Sequence, residues 1–299
     1  MSFSTQVKNE IIKIEYDSVC CKKSLLYGMV LFGKSFSKRG VSLQTENKNT
    51  VLLYQNLIKE LCNINSTVVT SPSGKNYTVS VDQSNDCVKL MSYFGHNPGE
   101  LNLKINVANF SCEKCRNAFI AGAFLSCGTI SSPEKDYHLE FTVNYLNLSK
   151  SFITLLQEAE LSPKYSNRKK YLHHIINFKE SESIEDCLYI MGASVSMFDM
   201  MNVKILKDIR NSANRKANCE TANIEKMVKA AYPQIEAIEK IKNKKGLEWL
   251  PDQLKEMAVI RMENPDSSLS ELAEMFEPPL SRSGVNHRLK KLVEIAKDL

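Results

Sequence analysis

The stretch Ile120-Ala121-Gly122-Ala123-Phe124-Leu125-Ser126-Cys127-Gly128 constrains the fold of this chain more than any other. It is a run of small and apolar residues with two glycines, opening on Arg116 and closing on Thr129-Ile130-Ser131-Ser132-Pro133. Glycine inside a helix costs about 1 kcal/mol against alanine, so a packing reason is expected. Close approach of a second helix backbone at Ala121 and Gly122 supplies one. A matching stretch lies about 94 residues earlier, Leu25-Leu26-Tyr27-Gly28-Met29-Val30-Leu31-Phe32-Gly33-Lys34-Ser35-Phe36. Two such helices predict an internal duplication whose halves pack helix against helix through Gly28, Ala121 and Gly122.

The flanking sequence repeats in step. In the first half the glycine-punctuated helix starts near Cys20 and ends near Gly33. Alternating polar and apolar residues then predict strands at 35–37 and 41–45. A helix over 49–62 follows, with Leu52, Leu53, Leu57, Ile58 and Leu61 at helical spacing. Strands at 66–70 and 77–81 and a helix over 87–94 complete the half, and 101–106 connects it to the next. The second half runs helix 112–128, strands 128–131 and 137–143, and helix 148–159. Strands 163–166 and 171–178 follow, joined by the basic turn Asn167-Arg168-Lys169-Lys170, and then helix 183–192. Each half thus reads α-β-β-α-β-β-α, which defines an α+β domain. Residues 2–15 predict a short amphipathic helix anchored by Phe3 and capped by Ser4.

The stretch around Gly122 resembles the LAGLIDADG helix of homing endonucleases, with Gly122 at the first glycine place and Gly128 at the last. The resemblance implies a saddle-shaped antiparallel sheet of eight strands. In active members of that family an acidic residue just before the last glycine binds the catalytic Mg²⁺. Here Cys127 stands at that degenerate metal-ligand place, and in the first stretch neither Phe32 nor Gly33 is acidic. Mg²⁺ takes hard oxygen ligands, which a thiol and a phenyl ring do not offer. The expectation is a retained scaffold with no enzymatic cleavage, no cofactor and no bound metal.

Composition narrows the partners. A net charge of +5 permits nucleic acid without demanding it. The N-terminus runs into a charged amphipathic segment, and no run approaches ~18 apolar residues, so neither a signal peptide nor a membrane partner is expected. Nine scattered cysteines suit a reducing compartment, and the expected location is cytoplasmic and nucleoid-associated. Cys20-Cys21 and Cys112-x-x-Cys115 precede the two glycine helices at similar offsets. Two readings follow: a four-thiolate zinc site, or small buried residues at helix starts, and the second is preferred. Adjacent His173 and His174 in a strand point to opposite faces and make poor joint ligands. His138 and Glu140 share a sheet face, where they serve binding as well as catalysis. The chain has no phosphate-cradling glycine loop after a strand.

Past residue 196 the composition changes. Between Met201 and Gly246 there are eleven Lys/Arg against five Asp/Glu, and the segment predicts a basic helical linker. The run Asp208 to Asn223 carries four asparagines, an unusual density for a modest helix former. Arg210, Arg215 and Lys216 are expected to touch phosphates, positioning DNA without specifying its sequence. Residues 247–299 predict three helices: 252–264 stopped by Pro265, a second capped by Ser268 with Glu271 completing a capping box, and a third capped by Ser281. Leu254, Met257, Ala258, Ile260, Leu269, Leu272, Ala273, Met275, Val285, Leu289, Leu292 and Ile295 are the expected core. This is a helix-turn-helix pattern. The domain is acidic, with ten Asp/Glu against seven Lys/Arg, yet Ser281 to Lys291 has no acid. One basic face on an acidic domain suits a recognition helix for double-stranded DNA. Ser281, Arg282, Ser283, Asn286 and His287 are expected near bases, with Arg288, Lys290 and Lys291 near phosphates.

The whole chain is similar to the WhiA family of bacterial regulators. The strings that carry the likeness are Asn214-Arg215-x-x-Asn218-Cys219-Glu220-x-Ala222-Asn223 and Ser283-Gly284-Val285-Asn286-His287-Arg288-Leu289. The resemblance implies a sequence-specific DNA-binding regulator linked to cell division and chromosome segregation, and to sporulation in sporulating relatives. It also implies that the helix-turn-helix carries most of the DNA affinity while the LAGLIDADG-like domain modulates it or binds a protein partner. The expected layout is an N-terminal helix over 1–19, a LAGLIDADG-like domain over 20–196 with repeats at about 20–106 and 107–196, a linker over 197–246, and a helix-turn-helix over 247–299. Two other classes compete: an active homing endonuclease, and a protein-interaction module tethered to DNA.

Overall fold

A computed structural model describes the chain except for Met1, Leu101 and residues 169–172. It divides into two compact units, Met1–Leu206 and Lys207–Leu299.

The first unit is built on two helices, α2 (Val19–Leu31) and α5 (Glu113–Cys127). Neither is amphipathic in sequence because each is covered on nearly every side. Leu25 to Leu31 and Ala118 to Leu125 are buried without a break. Their seam needs glycine. A Cβ on Gly28 would lie 2.2 Å from the Phe119 carbonyl oxygen, and one on Gly122 would lie 2.1 Å from that of Leu25. Ser126 Oγ donates to the Met29 carbonyl at 2.8 Å along the same row. The row is therefore Phe119, Gly122, Ala123 and Ser126, at helical i, i+3, i+4 and i+7 spacing. Ala121 is fully buried beside this row.

Each repeat follows its helix with the predicted order. The first continues through β1 (Ser35–Ser37), β2 (Gly40–Thr45), α3 (Lys48–Cys62), β3 (Thr67–Thr70), β4 (Tyr77–Val81) and α4 (Ser84–Tyr93). The second continues through β5 (Gly128–Ile130), β6 (Leu139–Val143), α6 (Leu146–Glu158), β7 (Lys164–Arg168), β8 (His173–Phe178) and α7 (Ser181–Ile190). Among the described residues the hydrogen bonds form two four-stranded antiparallel sheets, ordered β1-β2-β4-β3 and β5-β6-β8-β7, rather than one sheet of eight. Asn167 and Arg168 belong to β7, and the remainder of the expected basic turn lies outside the described residues. In α3 the buried face is Val51, Tyr54, Leu57, Ile58 and Cys62. Leu52 is exposed, since a shift of one residue turns a helical stripe by about 100°.

The N-terminal helix α1 (Phe3–Ile12) is part of this unit rather than a separate segment, with Val7 and Ile11 fully buried in its core. Its cap is Ser2, whose side chain accepts the Thr5 N–H at 3.1 Å, and not Ser4. Aromatic rings tie the repeats together. Tyr27 stacks on Phe94 at 4.9 Å and tilts against Phe119, while Phe32 packs on Phe152 at 4.6 Å.

The second unit has its own core. Helices α9 (Asp252–Glu263), α10 (Leu269–Glu274) and α11 (Arg282–Lys297) pack Leu254, Met257, Ala258, Leu272, Ala273, Phe276, Val285, Leu289, Leu292 and Ala296 together. Ala237, Ile238 and Ile241 join them from α8 (Ser194–Lys245). The segment expected as a helical linker is α8, which runs without a break from 194 to 245, and its last turns complete the C-terminal core. Met275 is exposed because α10 stops at Glu274, leaving Phe276 to fill the position.

Candidate nucleic-acid interface

The helix-turn-helix is held by its caps. Ser268 Oγ accepts the Glu271 N–H at 3.3 Å, and the Glu271 carboxylate accepts the Ser268 N–H at 2.6 Å, which is the predicted capping box. That backbone N–H holds the Glu271 carboxyl below the usual carboxylate range. Ser281 Oγ accepts the Gly284 N–H at 3.1 Å and starts α11. The Ser281 oxygen is therefore engaged in capping, while its hydroxyl hydrogen remains available as a donor.

Along α11, Val285, Leu289 and Leu292 face the core. Their spacing turns Arg282, Ser283, His287, Lys290 and Lys291 outward, and all five are exposed. Asn286 is half-buried. With Arg282 it lines a cleft of about 460 Å³ whose other walls include Lys226 and Gln234 of α8 and the start of α10 at Ser268 to Ser270. The cleft also touches Arg261, which is 3 % exposed and donates from Nη1 to the Ser267 carbonyl at 2.6 Å. Sequence reading passed over Arg261 because its place at the end of a helix looks like ordinary surface charge. Arg288 also has contacts within its own domain: its guanidinium lies 5.3 Å from the centroid of the Phe276 ring and reaches toward the Gln253 carbonyl, which braces α11.

Arg210, Arg215 and Lys216 lie on α8, where every residue from Asp208 to Ala230 is exposed. A helix that is polar and open on every side buries no apolar stripe there. Ile209, Ile224, Met227 and Val228 are exposed within it. The asparagines and basic residues of this stretch are thus all open to a partner.

The scaffold's metal place has a different chemistry. Cys127 closes α5, and burial pushes its thiol up to about 12. Lys8, from α1, sits beside it, with Nζ donating to the Leu125 carbonyl at 3.3 Å and lying 5.7 Å from the Phe124 ring centroid. Burial lowers the Lys8 ammonium to about 8, against the pull of Cys127 and Glu46. On the first repeat, Phe32 is buried in the aromatic cluster. A thiol, an ammonium group and a phenyl ring do not fit a hard divalent cation that requires oxygen ligands. The side chains of Cys127 and Lys8 therefore offer Mg²⁺ no oxygen ligand. Lys8 could not be anticipated from sequence, since nothing in α1 marks it apart from its neighbours. The sheet histidines are engaged: His138 lies 3.0 Å from Glu140, and His174 hydrogen-bonds Tyr165 at 2.8 Å.

A duplicated LAGLIDADG-like domain followed by a capped helix-turn-helix defines a class of two-unit proteins. Two family models match the chain in that order: the WhiA LAGLIDADG-like domain over 116–210 and the WhiA C-terminal HTH domain over 213–296. The curated relatives named "Probable cell division protein WhiA" include one from Ruminiclostridium cellulolyticum, 39 % identical over 99 % of this chain and 97 % of its own. Another, from Clostridium botulinum, is 38 % identical over 100 % of this chain and 99 % of its own. Full-length WhiA from Thermotoga maritima has a similar fold, with a TM-score of 0.61 at 22 % identity over 100 % of this chain and 99 % of that one. The chain belongs to the WhiA family.

Proposed function

We propose that the chain is a sequence-specific double-stranded DNA-binding protein that regulates transcription and acts in cell division and chromosome segregation, with a further part in sporulation where its host sporulates. The division role rests on the name its relatives carry. The DNA reading rests on one observation above all: α11 begins at a capped N-terminus and carries Arg282, Ser283, His287, Lys290 and Lys291 exposed with no acid between them. Lys290 and Lys291 supply phosphate contacts, and Arg282, Ser283, Asn286 and His287 read base edges from the first two turns. Arg210, Arg215 and Lys216 add phosphate contacts from α8. The scaffold binds or positions without cutting, a reading supported by Cys127 and Lys8 at the metal place.

The test is a mobility-shift titration of the full chain on DNA from a genome-wide map of its bound sites. Replacing both Lys290 and Lys291 by Ala should weaken binding to every sequence. It should also lower the slope of log affinity on log salt by up to about 2, at ~0.9 per lost phosphate contact. Asn286→Ala should instead relax preference at one base position by about 1–3 kcal/mol. Affinity and slope unchanged in the double variant would remove α11 as the DNA-reading element.

A further inference from the structure

The two core helices both begin on cysteines. Cys20 and Cys21 lie in the first turn of α2, Cys112 is the N-cap of α5, and Cys115 follows one turn in. The duplication brings the two pairs together. The Cys112 sulfur is 3.7 Å from that of Cys20, 3.6 Å from Cys21 and 3.5 Å from Cys115. All four sulfurs fall within 4.8 Å of one another.

These distances have a specific chemical meaning. A zinc ion with Zn–S bonds of about 2.3 Å in a tetrahedron holds its thiolates about 3.8 Å apart. The three separations from Cys112 lie within a few tenths of that edge, whereas a disulfide would need about 2.05 Å. A four-iron cluster sets its thiolates at the corners of a larger cage. Packing alone does not account for the group either. Buried filler cysteines should be inaccessible, yet Cys112 is exposed and Cys20 half-exposed, while Cys21 and Cys115 are buried. The preference for small buried residues therefore holds for two of the four.

We propose that Cys20, Cys21, Cys112 and Cys115 bind one zinc ion as a tetrathiolate. Four protein ligands leave no open position, so the ion is structural rather than catalytic. It joins the N-terminal ends of α2 and α5, and with them the two repeats, whose ligands are 91 and 92 residues apart in sequence. The glycine seam holds the middle of the same helix pair. The site lies at the other end of α5 from Cys127, so it is no remnant of a cleavage centre. This inference does not depend on the DNA-binding reading.

The experiment uses the full chain purified under a thiol reductant with no metal added. Elemental analysis should find one zinc per chain. Cys112→Ser should retain zinc against a chelator at least about tenfold less well, since even an outer-shell change costs 10–100-fold. The metal-stripped wild type should take up cobalt(II) with thiolate charge-transfer and tetrahedral d–d bands, and Cys112→Ser should not. Cys127→Ser and Cys219→Ser should keep the metal. Because Cys112 is exposed, its replacement spares the core, and circular dichroism checks this. If that variant fails to fold, the cobalt spectrum of the wild type decides. Zinc no higher in wild type than in Cys112→Ser together with no thiolate–cobalt spectrum would overturn the proposal. Iron in place of zinc, or a disulfide among these residues recovered from acid-quenched cells, would overturn it equally.

Discussion

Gly122 and Gly28 show how one missing methyl group can decide a fold. A Cβ at Gly122 would meet the Leu25 carbonyl oxygen at 2.1 Å, and that oxygen belongs to backbone that cannot rotate away. Gly122→Ala should therefore push α2 and α5 apart and destabilise the chain by about 1–3 kcal/mol, the usual cost of overpacking. Gly40→Ala meets nothing within 4 Å and is the control. Urea midpoints of the two variants check this. Lys8 makes a second prediction at the same scale. Burial holds its amine at about 8, below the ordinary 10.5, so the folded state disfavours the charged form. The stability this residue contributes is present above 10.5 and is lost as pH falls through about 8. Lys8→Met should remove that dependence, and wild type should gain on the variant as pH rises from 8 to 10.5 in parallel denaturation curves. The seam glycines were legible in the sequence because glycine in an apolar helix has few other uses. The Lys8–Cys127 contact was not, because it joins residues 119 apart through a helix with no distinguishing motif.

Elements were more legible than contacts. Periodicity gave α3, α6 and the inner strands of both repeats, because each has one buried face and a polar reverse, whereas α2 and α5, covered on nearly every side, were marked by their glycines instead. The caps at Ser268 and Ser281 were legible for a local reason: a hydroxyl and the N–H three residues on need nothing from the rest of the chain. A basic residue on a recognition helix reads as phosphate-facing, and only packing reveals Phe276 beneath Arg288. A prediction separates the two roles. Arg288→Ala should lower the stability of the helix-turn-helix by about 1 kcal/mol, the scale of an exposed cation–π contact with its lost stem packing. Its salt slope on DNA should change less than that of the Lys290/Lys291 double variant. Thermal melts and salt titrations of the same preparations check both halves, and a slope change equal to that of one lysine would return Arg288 to the phosphate set.

At the scale of the molecule, the feature that packing adds to the sequence reading is the extent of the second unit's core. The three predicted helices looked sufficient because their own apolar residues could close a small core. Yet Ala237, Ile238 and Ile241 of α8 are buried in it, and Lys240 Nζ donates to the Ala296 carbonyl at 2.8 Å. A long polar helix with Pro233 inside it reads as a linker, since its middle is exposed and its buried residues lie near its two ends. The consequence can be measured with two truncated chains. Residues 247–299 alone are 53 residues, near the size at which a single core is marginal, and they lack two isoleucines. Each fully buried isoleucine contributes about 1.5–3 kcal/mol, so their loss removes much of what such a domain holds. Residues 207–299 keep the whole core and the exposed Arg210, Arg215 and Lys216. The longer fragment should melt cooperatively and bind DNA with most of the full chain's salt slope. The shorter one should show a broad or absent transition by circular dichroism and weak binding that ligand excess does not restore. Equal melting of the two fragments would mean that α8 merely rests on the helix-turn-helix. Cooperative folding of 207–299 without DNA binding would instead move the interface to the first unit.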